Sequence, residues 1–152
     1  MKQILFKIIP LLLGLVMGFG CEDADHWDPE GIEAYGRLIK IVENGRDVEI
    51  PDEIITEPDY CVLSLMKDHT FQGSITINDM EGIYQQNASS GKINIQIQRI
   101  SEVLDARYHE FESRYVSLLR KVSSYQHTGS TLKLYFGEDS YLQYSLTKEE
   151  RK

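Results

Sequence analysis

Three places in the chain hold residue types that could do chemistry. In Tyr108-His109-Glu110-Phe111-Glu112-Ser113 a histidine precedes a glutamate, the opening of an H-E-x-x-H zinc helix in which two imidazoles share one face. Ser113 stands where the second histidine would have to be, so the ligand set is missing. Asp23-Ala24-Asp25-His26-Trp27-Asp28 places oxygen ligands on alternate residues, as a calcium loop does, yet it lacks the glycine at the sixth place and the closing glutamate. Cys61, in Tyr60-Cys61-Val62-Leu63, has no local base and reads as a small apolar side chain buried in a strand. The histidines His26, His69 and His127 fall in an expected tether or in turns and read as exposed. With no G-x-S-x-G elbow and no glycine-rich phosphate loop, the residues point away from an enzyme, a metal site and a cofactor.

Cys21 offers a different chemistry. Lys2 and Lys7 flank an apolar run, Ile8 to Phe19, of about a dozen residues, which suits a signal-peptide core and is short of the roughly 20 needed to cross a bilayer. The run ends Gly18-Phe19-Gly20-Cys21, which looks like the lipobox of bacterial lipoproteins, where the cysteine thiol takes a diacylglycerol. Gly18 departs from the usual Leu, Val or Ile, and an ordinary signal peptide cut near Gly20 is the alternative. Residues 1–20 are thus expected to be a lipoprotein signal peptide and Cys21 the lipid attachment site, which leaves Cys61 without a disulfide partner. The expected location is the bacterial cell envelope, at the outer membrane, with the membrane contacted through the lipid. The chain carries a net charge of −8; removal of residues 1–20 takes away two lysines and no acidic residue, leaving −10. With no basic patch to displace counterions from phosphates, nucleic acid is not an expected partner.

The elements follow from periodicity. Residues 21–35, acidic and containing Pro29 and Gly31, read as a flexible tether, and 148–152 as a charged tail. Gly36 to Val42 and Asp47 to Ile50 form a hairpin around Asn44-Gly45, a dipeptide that tolerates positive φ at both turn centres. Pro51 to Asp59 reads as a loop, Tyr60 to Met66 and Phe71 to Ile77 as paired strands, 78–82 as a turn before Ile83 to Gln85. Lys92 to Gln98 alternates apolar and polar without a break, the mark of a strand with one face buried. Phe111, Tyr115, Leu118, Leu119 and Val122 form one helical stripe, predicting a helix from about Val103 to Ser124 with Ser101 as its N-cap. Residues 126–130 read as a turn, and Thr131 to Phe136 and Tyr141 to Leu146 close the chain as strands. The order predicts one α+β domain, residues 36–147.

The run from Tyr60 to Tyr84, with its polar turn Lys67-Asp68-His69-Thr70, then Phe71, Gly73, Asn78 and Gly82-Ile83-Tyr84, resembles the META/HslJ family. The likeness continues through Glu112, Leu118-Leu119 and Val122 to Gly129-Ser130-Thr131-Leu132-Lys133-Leu134-Tyr135. Tyr35-Gly36 replaces the tryptophan that often opens the family's first strand, Ile77 replaces a cysteine, and Ser101-Glu102-Val103-Leu104 contains none, so no disulfide or redox feature carries over. The resemblance implies an antiparallel sheet forming a partly open barrel with one helix packed across it, and an envelope protein of poorly defined activity. Gly73, Asn78 and Gly82 are read as bends at positive φ and Tyr84 as cover for a core edge.

The remaining candidate for recognition is the polar face of the Lys92 to Gln98 strand. Asn94, Gln96 and Gln98 share one side, opposite Ile93, Ile95 and Ile97, and give an uncharged row of donors and acceptors suited to an envelope protein or glycan. A plain solvated sheet face would look the same. The expected function is therefore a non-enzymatic envelope lipoprotein that binds or stabilises other envelope components; the alternative is a carrier of a small apolar ligand inside the barrel.

Overall fold

The computed structural model describes residues 26–148. The strands are β1 (Ala34–Glu43), β2 (Arg46–Val48), β3 (Val62–Leu65), β4 (Thr70–Ser74), β5 (Asp79–Asn87), β6 (Lys92–Ile100), β7 (Ser124–Thr128), β8 (Thr131–Gly137) and β9 (Ser140–Leu146). Two helices, α1 (Asp52–Thr56) and α2 (His109–Arg120), interrupt them. All pairings are antiparallel, in the order β2-β1-β3-β4-β5-β6-β7-β8-β9, and β1 also pairs with β9. The sheet thus returns on itself as a partly open barrel. Its weak seam is β6 against β7, where Lys92↔Ser124 is the register pair.

Alternation in each strand sends one set of side chains inward. Leu63, Leu65, Phe71, Tyr84, Ile93, Leu132, Leu134, Leu142 and Tyr144 fill the interior, with Tyr115 and Leu119 of α2 pressed in among them. The predicted stripe is the buried face of α2 together with Val122 just beyond it, and Phe111 lies partly buried against the core. The Tyr115 and Tyr144 hydroxyls, 2.8 Å apart, satisfy one another where water does not reach. Burial pushes the titration of both phenols well up.

The predicted helix is shortened at its start. Asn78, buried in the turn between β4 and β5, grips the backbone of Val103: its Oδ1 accepts from the Val103 N–H at 2.7 Å and its Nδ2 donates to the Val103 carbonyl at 2.9 Å. Asn78 Nδ2 also donates to Glu112 Oε2 at 2.9 Å, and Thr76 donates to the other Glu112 oxygen. Val103 is thus held as part of the connection from β6, and α2 starts at His109. Ser101, expected as N-cap, instead accepts from the Asp79 N–H at 2.9 Å.

Asn44 and Gly45 turn the first hairpin at φ 50° and 73°, as expected. Gly73, Asn78 and Gly82 do not occupy the left-handed region, which is taken by Asn44, Cys61 and His69 among the non-glycine residues. Gly82 serves close approach instead: a Cβ there would run into the Gln96 carbonyl oxygen and stand 2.7 Å from the Phe71 ring. The expected loop 51–59 contains α1, which buries Ile54.

From His26 onward, the segment expected as a tether over 21–35 is bonded to the barrel. Asp28 N–H donates to Gln86 O at 2.8 Å, Asp28 Oδ2 accepts from Ala88 N–H at 2.7 Å, and Gly31 N–H donates to Lys67 O at 2.9 Å. The Tyr84 hydroxyl shares its one proton between the carbonyls of Ile32 (2.6 Å) and Met66 (2.8 Å), and Gln86 Nε2 donates to Glu30 O at 3.0 Å. An acidic, proline-containing segment without periodicity is thus a strap across one end of the barrel, held mainly through its backbone and also through the Asp28 carboxylate, and β1 follows it directly at Ala34. The expected signal peptide, Cys21, residues 22–25 and residues 149–152 lie outside the described residues.

Leu119 is fully buried at the centre of the helix contact. Leu119→Ala is expected to lower the unfolding free energy by about 2–5 kcal/mol in denaturant titration, whereas Ser117→Ala, on the exposed side of α2, should change it little.

Candidate functional site

The outward face of β4, β5 and β6 gathers the candidate residues. Asn94 and Gln96 are exposed on β6, with Gln85 directly opposite Asn94 and Ile83 opposite Gln96 on β5. Thr70 of β4 lies opposite Ile83 in turn, and Ile83 is 36% exposed. The expected row of three amides therefore widens into a patch in which Thr70, Gln85 and Gln96 flank one apolar side chain, bounded by Lys92 at one end and by Glu81 at the other. Gln98 does not continue the row in register. A bulge pairs Gly82 with Ile97 and Glu81 with Arg99, leaving Gln98 as the extra residue, still exposed.

Beyond the bulge, one register line crosses five strands: Tyr35 (β1), Ser64 (β3), Gln72 (β4), Glu81 (β5) and Arg99 (β6). Arg99 Nε sits 2.9 Å from Glu81 Oε1, an exposed ion pair. Tyr35, Gln72, Glu81 and Arg99, with Asp59 and Asp79, line a groove of about 700 Å³. A second cleft of about 900 Å³ shares Tyr35 and Gln72 and extends toward Leu146 and His127. Sequence reasoning did not assemble this line. Each member occupies an outward place in its own strand, a signal present in the alternation, but cross-strand register sets which of them meet.

The residues examined for catalysis are placed differently. Cys61 is buried at φ 53° in the turn before β3, not within a strand, and its Sγ donates to Ile75 O at 3.0 Å. Burial pushes its thiol up to about 12, so it is protonated at neutral pH and is no nucleophile there. His69 is half-buried, not exposed as expected: Nε2–H donates to Pro29 O at 3.2 Å, its ring meets Tyr84 at 5.6 Å, and Nδ1 is buried without a partner. It supports the strap. Glu112 holds Asn78 and Thr76. Among the described residues, no group of three or more His, Cys, Asp or Glu is arranged to hold a metal ion.

No protein-family model matches the chain, and no curated protein matches it. It is similar in structure to a DUF4847 family protein from Bacteroides vulgatus ATCC 8482, known from a crystal structure, with a TM-score of 0.58 and 17% sequence identity over 77% of this chain and 94% of that one. The likeness is one of fold: a mainly antiparallel ring of strands, partly open, with a helix across it.

In a Cys21→Ser variant, whose one thiol is Cys61, native protein at pH 8 should fail to react with a disulfide-exchange reagent and react fully once unfolded. The sign follows from the raised folded value: the unfolded chain loses this proton first, so stability falls as pH rises above about 9 and continues to fall until about 12. Rapid native-state labelling would show that Cys61 is accessible.

Proposed function

We propose that this protein is a lipid-anchored protein of the bacterial cell envelope, with a META/HslJ-like domain that acts without catalysis by binding an envelope protein or glycan through the outer face of β4 to β6. The observation that carries this reading is the uncharged patch of Gln85, Asn94 and Gln96 around Ile83 in a chain of net charge −8. A partner docking there strips water from amides and one aliphatic side chain rather than from ions, which is the less costly desolvation. The adjoining groove at Tyr35 and Gln72 supplies an aromatic edge and further amide chemistry. Carriage of a small apolar ligand inside the barrel has less support, because the inward positions are occupied by packed Leu, Ile, Phe and Tyr side chains.

Two outcomes are expected. Cys21→Ser should move the protein from the detergent phase to the aqueous phase, or leave it unprocessed, in detergent partitioning; unchanged partitioning would overturn the anchor. Replacing both Gln96 and Gln98 with lysine should preserve the unfolding midpoint, since both side chains are exposed, while lowering recovery of crosslinked partners from intact envelope. Undiminished recovery would leave these amides as ordinary surface.

A further inference from the structure

We infer that the strapped end of the barrel is the membrane-facing end, with the Asn87–Gly91 turn against the lipid headgroups and the β1–β2 and β8–β9 turns directed away. The inference rests on the anchoring at Cys21 proposed above and adds an orientation to it. Were residues 21–35 a free tether, the domain could tumble above the bilayer. The strap removes most of that length: His26 is the first described residue, its carbonyl accepts from Asn87 Nδ2, and Asp28 is bonded to Gln86 and Ala88 on either side of the same position. Five residue steps separate Cys21 from His26 and, whatever their conformation, they reach at most about 18 Å. The strap then crosses to Lys67 and enters β1, whose ten residues carry the chain about 30 Å to the opposite end.

Trp27, the single tryptophan, lies in the strap and is a native reporter. Lipidated full-length protein would be reconstituted into phosphatidylethanolamine and phosphatidylglycerol vesicles carrying a nitroxide on the lipid headgroup. Loss of Trp27 emission is expected. Protein with Trp27→Phe and a new reporter at the far end, either Glu138→Trp or Arg46→Trp, should keep its emission on the same vesicles. Equal quenching at both ends, or quenching at the far end alone, in protein that co-floats with the vesicles would overturn the orientation and leave the anchor standing. Protein that does not co-float would overturn the anchor, and the orientation with it.

Discussion

The pairing of β1 on both edges is the constraint on which the remaining geometry depends. It meets β3 through Ala34↔Leu65 to Arg37↔Val62 and β9 through Gly36↔Leu146 to Val42↔Tyr141. Closing the sheet in this way gives it an inside, and the inside then has to be filled. The inward Leu, Ile and Tyr side chains do so from the strands, and α2 adds Tyr115 and Leu119 from the side where β6 and β7 separate. An edge left by that separation would otherwise expose backbone donors and acceptors; packing a helix beside it is one of the ways sheets blunt such edges.

Buried polar groups then decide where the irregular segments lie. Asn78 satisfies both Val103 backbone groups and one oxygen of Glu112, so the β4–β5 turn, the β6–α2 connection and the first turn of α2 share one hydrogen-bonded junction. At the other end Tyr84 and Gln86 perform the same service for the strap, with Tyr125 donating to Gln86 Oε1 at 2.6 Å. Removing one partner from such a junction leaves the others buried and unpaired, which costs more than the bond itself contributes. The Tyr84 phenol is pushed well up by its burial and remains a donor across the physiological range.

Much of this was legible in the residues. Strict alternation identified β6 and its exposed amides, the Asn44-Gly45 pair identified the first hairpin, and the 3.6-residue stripe identified the face of α2 that packs inward. What was not legible is tertiary in origin. The connection into α2 and the helix's first turn are held by Asn78, far earlier in the chain, and the strap is held largely by carbonyls and amides that carry no side-chain signature. The bulge at Gln98 depends on Gly82 of the neighbouring strand, so a period of two within β6 could not reveal it. The candidate patch was half visible for the same reason: Asn94 and Gln96 follow from one strand's pattern, but Gln85 and Ile83 join them through register alone.

The β1–β9 seam also has a consequence in time. The second strand to be made of that pair, β9, is the last of the described strands, so the ring cannot close until residues 140–146 have been synthesised. Contacts so distant in sequence place loop closure ahead of any reward from pairing, which slows folding. Until Tyr141 to Leu146 arrives, one edge of β1 stays unpaired and the interior lacks Leu142 and Tyr144. Closure of the ring, and with it burial of the interior, therefore waits on the strand most distant in sequence from β1.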